Sequence, residues 1–252
     1  MKHLRQVTKE ILQEVESVSG KSIEFMRDEE LPVLASLTMA RNGAEFHLLR
    51  YKPSNEPMDY FVAHQAGYIL RLFQCEPNFR FDLSATGVGE ETMASLLNSG
   101  VQSESFENSN FKAASQMLTQ WCLMNLRSLP IGMRIDEWIS TNHAELKDLQ
   151  ATGIALQHQQ NINLLSHKIS GHYIPSILMG HISAYAMFAD RLLNVEQFAT
   201  PFAASGLKQA GFDLMEIWDQ TTHTASSDCE LVDAWATYSS IRNWYEWTTY
   251  TS

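Results

Sequence analysis

Pro57-Met58-Asp59-Tyr60-Phe61-Val62-Ala63-His64-Gln65-Ala66-Gly67-Tyr68-Ile69-Leu70-Arg71-Leu72-Phe73-Gln74 decides the fold. Phe61, Val62, Ala63, Ala66, Ile69, Leu70, Leu72 and Phe73 run almost all round a helix. A helix that is apolar on every side is a buried one. Proline is tolerated in a first turn, and Ser54 or Asn55 can cap it. The stretch therefore predicts a central helix from about Pro57 to Gln74. His64 and Tyr68 stand four positions apart, so their side chains stack on one face. Gln65 lies about 100° round from His64.

Upstream, the period changes twice. Leu4, Val7, Ile11, Leu12 and Val15 recur at helical spacing and stop near Gly20. Residues 22–27 then alternate like a half-buried strand. Residues 35–40 and 45–51 flank Arg41-Asn42-Gly43, a turn signal that predicts a hairpin.

Downstream, residues 76–110 are the least regular part, with loop signals at Glu76-Pro77-Asn78 and Thr86-Gly87-Val88-Gly89. One short helix is expected over 90–98. After residue 110 the pattern reads as helical to the end. Leu231, Trp235, Tyr238, Ile241 and Tyr245 mark the last helix. The expected architecture is α+β: an N-terminal helix and a small antiparallel sheet packed on a central buried helix, then a mostly helical C-terminal region. Two regions are drawn, 1–110 and 111–252, which one continuous domain could also contain.

Composition narrows the function classes. The chain has 252 residues, 44% hydrophobic, enough for a sizeable core. Its formal charge of −11 disfavours nucleic-acid binding, because an acidic surface repels phosphate backbones. No window approaches 18 uninterrupted apolar residues, so no membrane span is expected. The N-terminus has no apolar signal core. Cys75, Cys122 and Cys229 are odd in number and without C-x-x-C spacing. That points to reduced thiols in a cytoplasmic protein.

The order helix, strand, hairpin, then a helix bearing His64-Gln65-Ala66-Gly67-Tyr68 resembles the zincin-like metallopeptidases, the ImmA/IrrE group in particular. The resemblance covers roughly residues 1–75. Such enzymes carry H-E-x-x-H on this helix. Two imidazoles hold one zinc, and the glutamate takes a proton from the metal-bound water. Here His64 stands at the first position, Gln65 replaces the glutamate and Tyr68 replaces the second histidine. Gln65 cannot accept that proton. A tyrosine binds zinc only when ionised, and its free pKa is about 10.

The resemblance thus implies a scaffold without ordinary zinc-hydroxide proteolysis. It implies a binding or regulatory protein with His64, Gln65 and Tyr68 at a ligand cleft, no catalytic residue and no cofactor. In that family a third ligand comes from a following helix. Glu90, Glu91 and Glu107 lie in that region, outside any motif. Two other readings of His64 stay open: a core histidine bonded to a carbonyl, and a working zinc ligand.

A second constellation is His158, His167, His172 and His181. As an alternative, His64, His167, His172 and His181 would hold zinc in a metal-dependent hydrolase with non-standard ligands. The competing reading makes His158 a solvent-facing helix residue, His181 a buried polar residue, and His167 and His172 loop residues. Arg134-Ile135-Asp136-Glu137, after Leu129-Pro130-Ile131-Gly132, reads as a helix start with a local ion pair.

No G-x-S-x-G or phosphate-loop motif occurs. The aromatic end, Trp235 to Trp247, reads as core with its last residues forming a contact patch. That supports a third alternative, a homo-oligomeric interaction protein with no inherited active site. The partner expected throughout is a protein or small-molecule ligand that the sequence does not name.

Overall fold

The structure is a computed structural model that describes residues 4–31, 33–52, 58–100, 108–166 and 176–251. Helix α1 (Gln6–Ser19) buries Thr8, Ile11 and Val15. It stops at Gly20, whose φ of 70° is left-handed and whose N–H bonds Glu16 O. Glycine adopts that conformation without a Cβ penalty.

Strands β1 (Ser22–Arg27), β2 (Ala35–Thr38) and β3 (Phe46–Tyr51) form one sheet with β3 in the middle. The expected hairpin is present, with Leu37 opposite Leu49. It turns through Asn42 at φ 52° and Gly43 at φ 81°. β1 runs parallel to β3, so this small sheet is mixed. The reason is topological: each connection reverses the chain, and β1 and β3 are two reversals apart.

Helix α2 (Met58–Gln74) is the central buried helix. It packs on α1 and β2 on one side. Its other side faces α4 (Asn108–Asn142) and α5 (Lys147–Ser166). Two glycines set its approach to these helices. A Cβ at Gly67 would lie 2.5 Å from Ile135 Cγ2, and one at Gly153 would lie 2.2 Å from Tyr60 Cδ1.

Three expectations are corrected. First, residues 76–100 hold more than a short helix. They contain strand β4 (Phe81–Ala85), followed by helix α3 from Gly87 to Gly100. Second, the chain is not helical to its end. Helix α9 stops at Tyr238, Ser240 takes φ 58°, and strand β5 (Tyr245–Thr249) pairs antiparallel with β4. Tyr, Trp and Thr suit a pleated, half-buried surface, and β4 supplies the edge they need. Third, no helix starts at Arg134: that segment and the Pro130 before it lie inside the 35-residue α4. A proline there removes one helical N–H bond. Packing tolerates it, and the Pro130 carbonyl accepts a bond from Trp218 Nε1 at 3.2 Å.

The remaining helices are α6 (Ser176–Leu193), α7 (Thr200–Ala204), α8 (Lys208–Gln220) and α9 (Asp228–Tyr238). One buried cluster runs from Ile11 in α1 to Tyr245 in β5. Its largest members include Trp218, Trp235, Trp244, Tyr60 and Phe188. Burying each such side chain contributes about 1.5–3 kcal/mol. The fold is α+β, with a small sheet and a mostly helical remainder. Among the described residues, no helix is long and apolar enough to cross a membrane.

Candidate binding site along helix α2

His64 and Tyr68 share the face of α2 that meets α4. Their rings contact edge-on, with centroids 5.4 Å apart. Opposite them is Asp136, fully buried on α4. Tyr60 Oη donates to Asp136 Oδ1 at 2.9 Å. Gln150 Nε2 donates to the Asp136 carbonyl at 2.7 Å and to Oδ1 at 3.0 Å. Tyr185 Oη donates to Gln157 Oε1 at 2.7 Å and lies 3.4 Å from Asp136 Oδ2. His64 Nε2 is 3.8 Å from Oδ2, an ion-pair distance but too long for a hydrogen bond.

Burial pushes the Asp136 carboxyl above its usual range, and His64 with the surrounding donors opposes that shift. Tyr68 Oη donates to Ser128 O at 2.8 Å. Burial, then the Asp136 charge, drives its phenol well above the ordinary tyrosine range, so it is a hydroxyl and not a phenolate. Gly132 makes room for this: a Cβ there would lie 2.8 Å from Tyr68 Oη. Gln65 is half-buried.

The other predicted residues are scattered. His181 Nε2 is 2.8 Å from Ser239 Oγ, and its ring lies against Trp235. His158 is fully buried rather than solvent-facing, because α5 lays it between Tyr185 and Phe198 with ring centroids 4.8 Å away on each side. Burial lowers both imidazoles to about 4, so both are neutral near pH 7. His167 and His172 lie outside the described residues, as does Glu107. Glu90 accepts from Gln116 Nε2 at 3.1 Å, and Glu91 is exposed. Among the described residues, no three His, Cys, Asp or Glu side chains are placed to share a metal.

Arg134 does not make the expected local ion pair at a helix start. It lies within α4, is buried, and its Nη1 meets Asp228 Oδ1 at 2.6 Å. Arg71 holds the same carboxylate with Nε and Nη2, both at 2.8 Å. This pair sits at the far end of α2, where a cleft of about 50 Å³ opens. Tyr68, Arg71, Phe79, Phe81, Arg127 and Trp247 are among its walls. Cys75 and Cys229 also line it. Burial raises both thiols, Cys229 to about 12, so neither is a ready nucleophile.

Helical spacing puts His64 and Tyr68 on one face, and the same stripe reaches Tyr60 four residues before His64 and Arg71 three residues after Tyr68. Neither of these two is singled out by the sequence motif. Nothing in the local sequence of Asp136 signals its burial. No protein family, curated protein or solved structure matches this chain.

Proposed function

We propose that this chain is a non-catalytic, zincin-like binding or regulatory protein with reduced thiols in a cytoplasmic setting. Its ligand, a small molecule or a protein segment, enters the cleft at the Arg71 end of α2. The element order supports the scaffold: α1, a strand, the β2–β3 hairpin, then α2.

The observation that carries the loss of catalysis is the closure of the His64–Tyr68 face against α4. Tyr68 Oη is engaged by Ser128 O, and the Asp136 carboxylate by Tyr60 and Gln150. Position 65 supplies an amide where a general base is required. A metal-bound water there would lack both its second imidazole and its proton acceptor.

The test is elemental analysis of the purified protein with a proteolysis assay, on wild type and His64→Ala. Equal metal content and no peptide cleavage in either sample are expected. Stoichiometric zinc that disappears in His64→Ala overturns the reading.

A further inference from the structure

We infer that the cleft at the Arg71 end of α2 binds a small organic monocarboxylate with an apolar body, held by Arg127. This rests on the proposed use of that cleft for binding and names the chemistry of the occupant.

The first ground is charge. The chain carries −11 overall, yet five of its ten arginines lie at the cleft or directly behind it: Arg71 and Arg127 line it, Arg134 and Arg41 share their carboxylates, and Arg80 bonds the Cys75 carbonyl. Asp228 is shared by Arg71 and Arg134. Asp82 is shared by Arg41 and Arg127. Arg80 donates to the carbonyls of Cys75 and Phe73 and stacks over the Phe73 ring. Glu137 pairs with His223 and offsets part of the Arg134 charge. Nearby Asp233 is neutralised by Arg242. With Asp136 acting on the Tyr68 wall as well, five guanidiniums meet four carboxylates, leaving a local cationic surplus inside an acidic protein.

The second ground is which cation is least needed by its own carboxylate. Arg41 already engages both oxygens of Asp82, through Nε at 2.5 Å and Nη2 at 2.7 Å. Arg127 Nη2 is 2.9 Å from an oxygen that Arg41 also uses. Burial would raise the Asp82 carboxyl, but the two arginines outweigh it and hold it below the usual range. Arg127 is therefore a second cation on a satisfied carboxylate. Its side chain is 31% exposed, and it lines the cleft. A guanidinium fork matches a carboxylate with two parallel N–H···O bonds.

The third ground is the rest of the wall. Phe79, Phe81, Ile131, Trp247 and Met39 make it mostly apolar, and Phe79 is 63% exposed. A dianionic phosphate would need several free donors, whereas Arg71 and Arg134 are committed to Asp228 and nearby carbonyls. One half-exposed guanidinium, shared with a carboxylate that Arg41 already satisfies, and an aromatic wall select a monoanion with a small apolar group.

The experiment is calorimetric titration with propionate, its neutral analogue propionamide, and inorganic phosphate. Wild type should bind propionate at least about tenfold more tightly than either comparator, as a single charged fork allows. Arg127→Gln should remove that preference, while Arg41 keeps Asp82 compensated. Met39→Trp, which fills the cleft and leaves the ion pairs intact, should abolish binding and carries the test if Arg127→Gln does not fold. Equal affinity for the amide, unchanged affinity in Arg127→Gln, or no binding up to about 10 mM overturns the inference. Zinc content of the same sample tests the scaffold reading separately, so the two can fail independently.

Discussion

Asp136 and Asp228 both lie against helix α2, one at each end of its inner face, and they are stabilised by different means. Asp136 is surrounded by neutral donors, Tyr60, Gln150 and Tyr185, with the His64 imidazole 3.8 Å from its Oδ2. Asp228 sits between two guanidiniums, with further donors on Arg134 committed to Ser227 and the 222–224 turn. The first arrangement seals a polar core; the second leaves charge to spare beside a cleft. One helix thus carries a closed end and an open end. The binding proposed above belongs to the open end, where guanidiniums outnumber the carboxylates they share.

The sharpest way to break this contrast is to remove each carboxylate. Asp228→Ala leaves Arg71 and the buried Arg134 unpaired and should cost about 3–5 kcal/mol in urea unfolding. Asp136→Asn should cost only about 1–2 kcal/mol, because Tyr60 and Gln150 keep a polar partner. Comparable losses would show that Asp136 is a fully charged pair with His64.

Acid should weaken the interior next. The His158 and His181 pKa values are depressed from 6.5 to about 4 by burial. The unfolded chain then binds more protons than the folded one below pH 6.5. Their contribution is whole above pH 6.5 and is lost as pH falls towards 4, on the order of 3 kcal/mol for each. Urea midpoints from pH 7 to 4.5 should fall, and His158→Phe should flatten part of the slope.

Gly153→Ala drives a Cβ into the Tyr60 ring at the closed end and should destabilise by about 1–3 kcal/mol. An unchanged thermal midpoint would mean that Tyr60 can leave Asp136 freely. The smallest effect is expected for Tyr68→Phe. It removes one bond to Ser128 O at about 1 kcal/mol and should leave metal content unchanged.

Local signals made much of the first third legible. Asn42-Gly43 fixed the hairpin, Gly20 ended α1, and the all-round apolar stripe identified α2. What stayed hidden depends on partners distant in sequence. The strand that partners β4 is far away in sequence, 164 residues at the Ser84 Oγ–Thr248 Oγ1 hydrogen bond, so a lone five-residue run reads as loop. Pro130 reads as a break until Trp218 and the α2 face are packed around it. The site divides the same way. His64 and Tyr68 follow from helical spacing, whereas Asp136 and Arg127 acquire their roles only when α4 is laid beside α2.

The β4–β5 ribbon also sets a timetable for synthesis. β4 leaves the ribosome long before the residues that pair with it. At 5–20 residues per second the wait is roughly 10–30 s. During that interval β4 has an open edge, and the cleft lacks Trp247 and the α9 wall. The proposed ligand cleft therefore has its full wall only after Trp247 has been synthesised, and a shorter nascent chain lacks it.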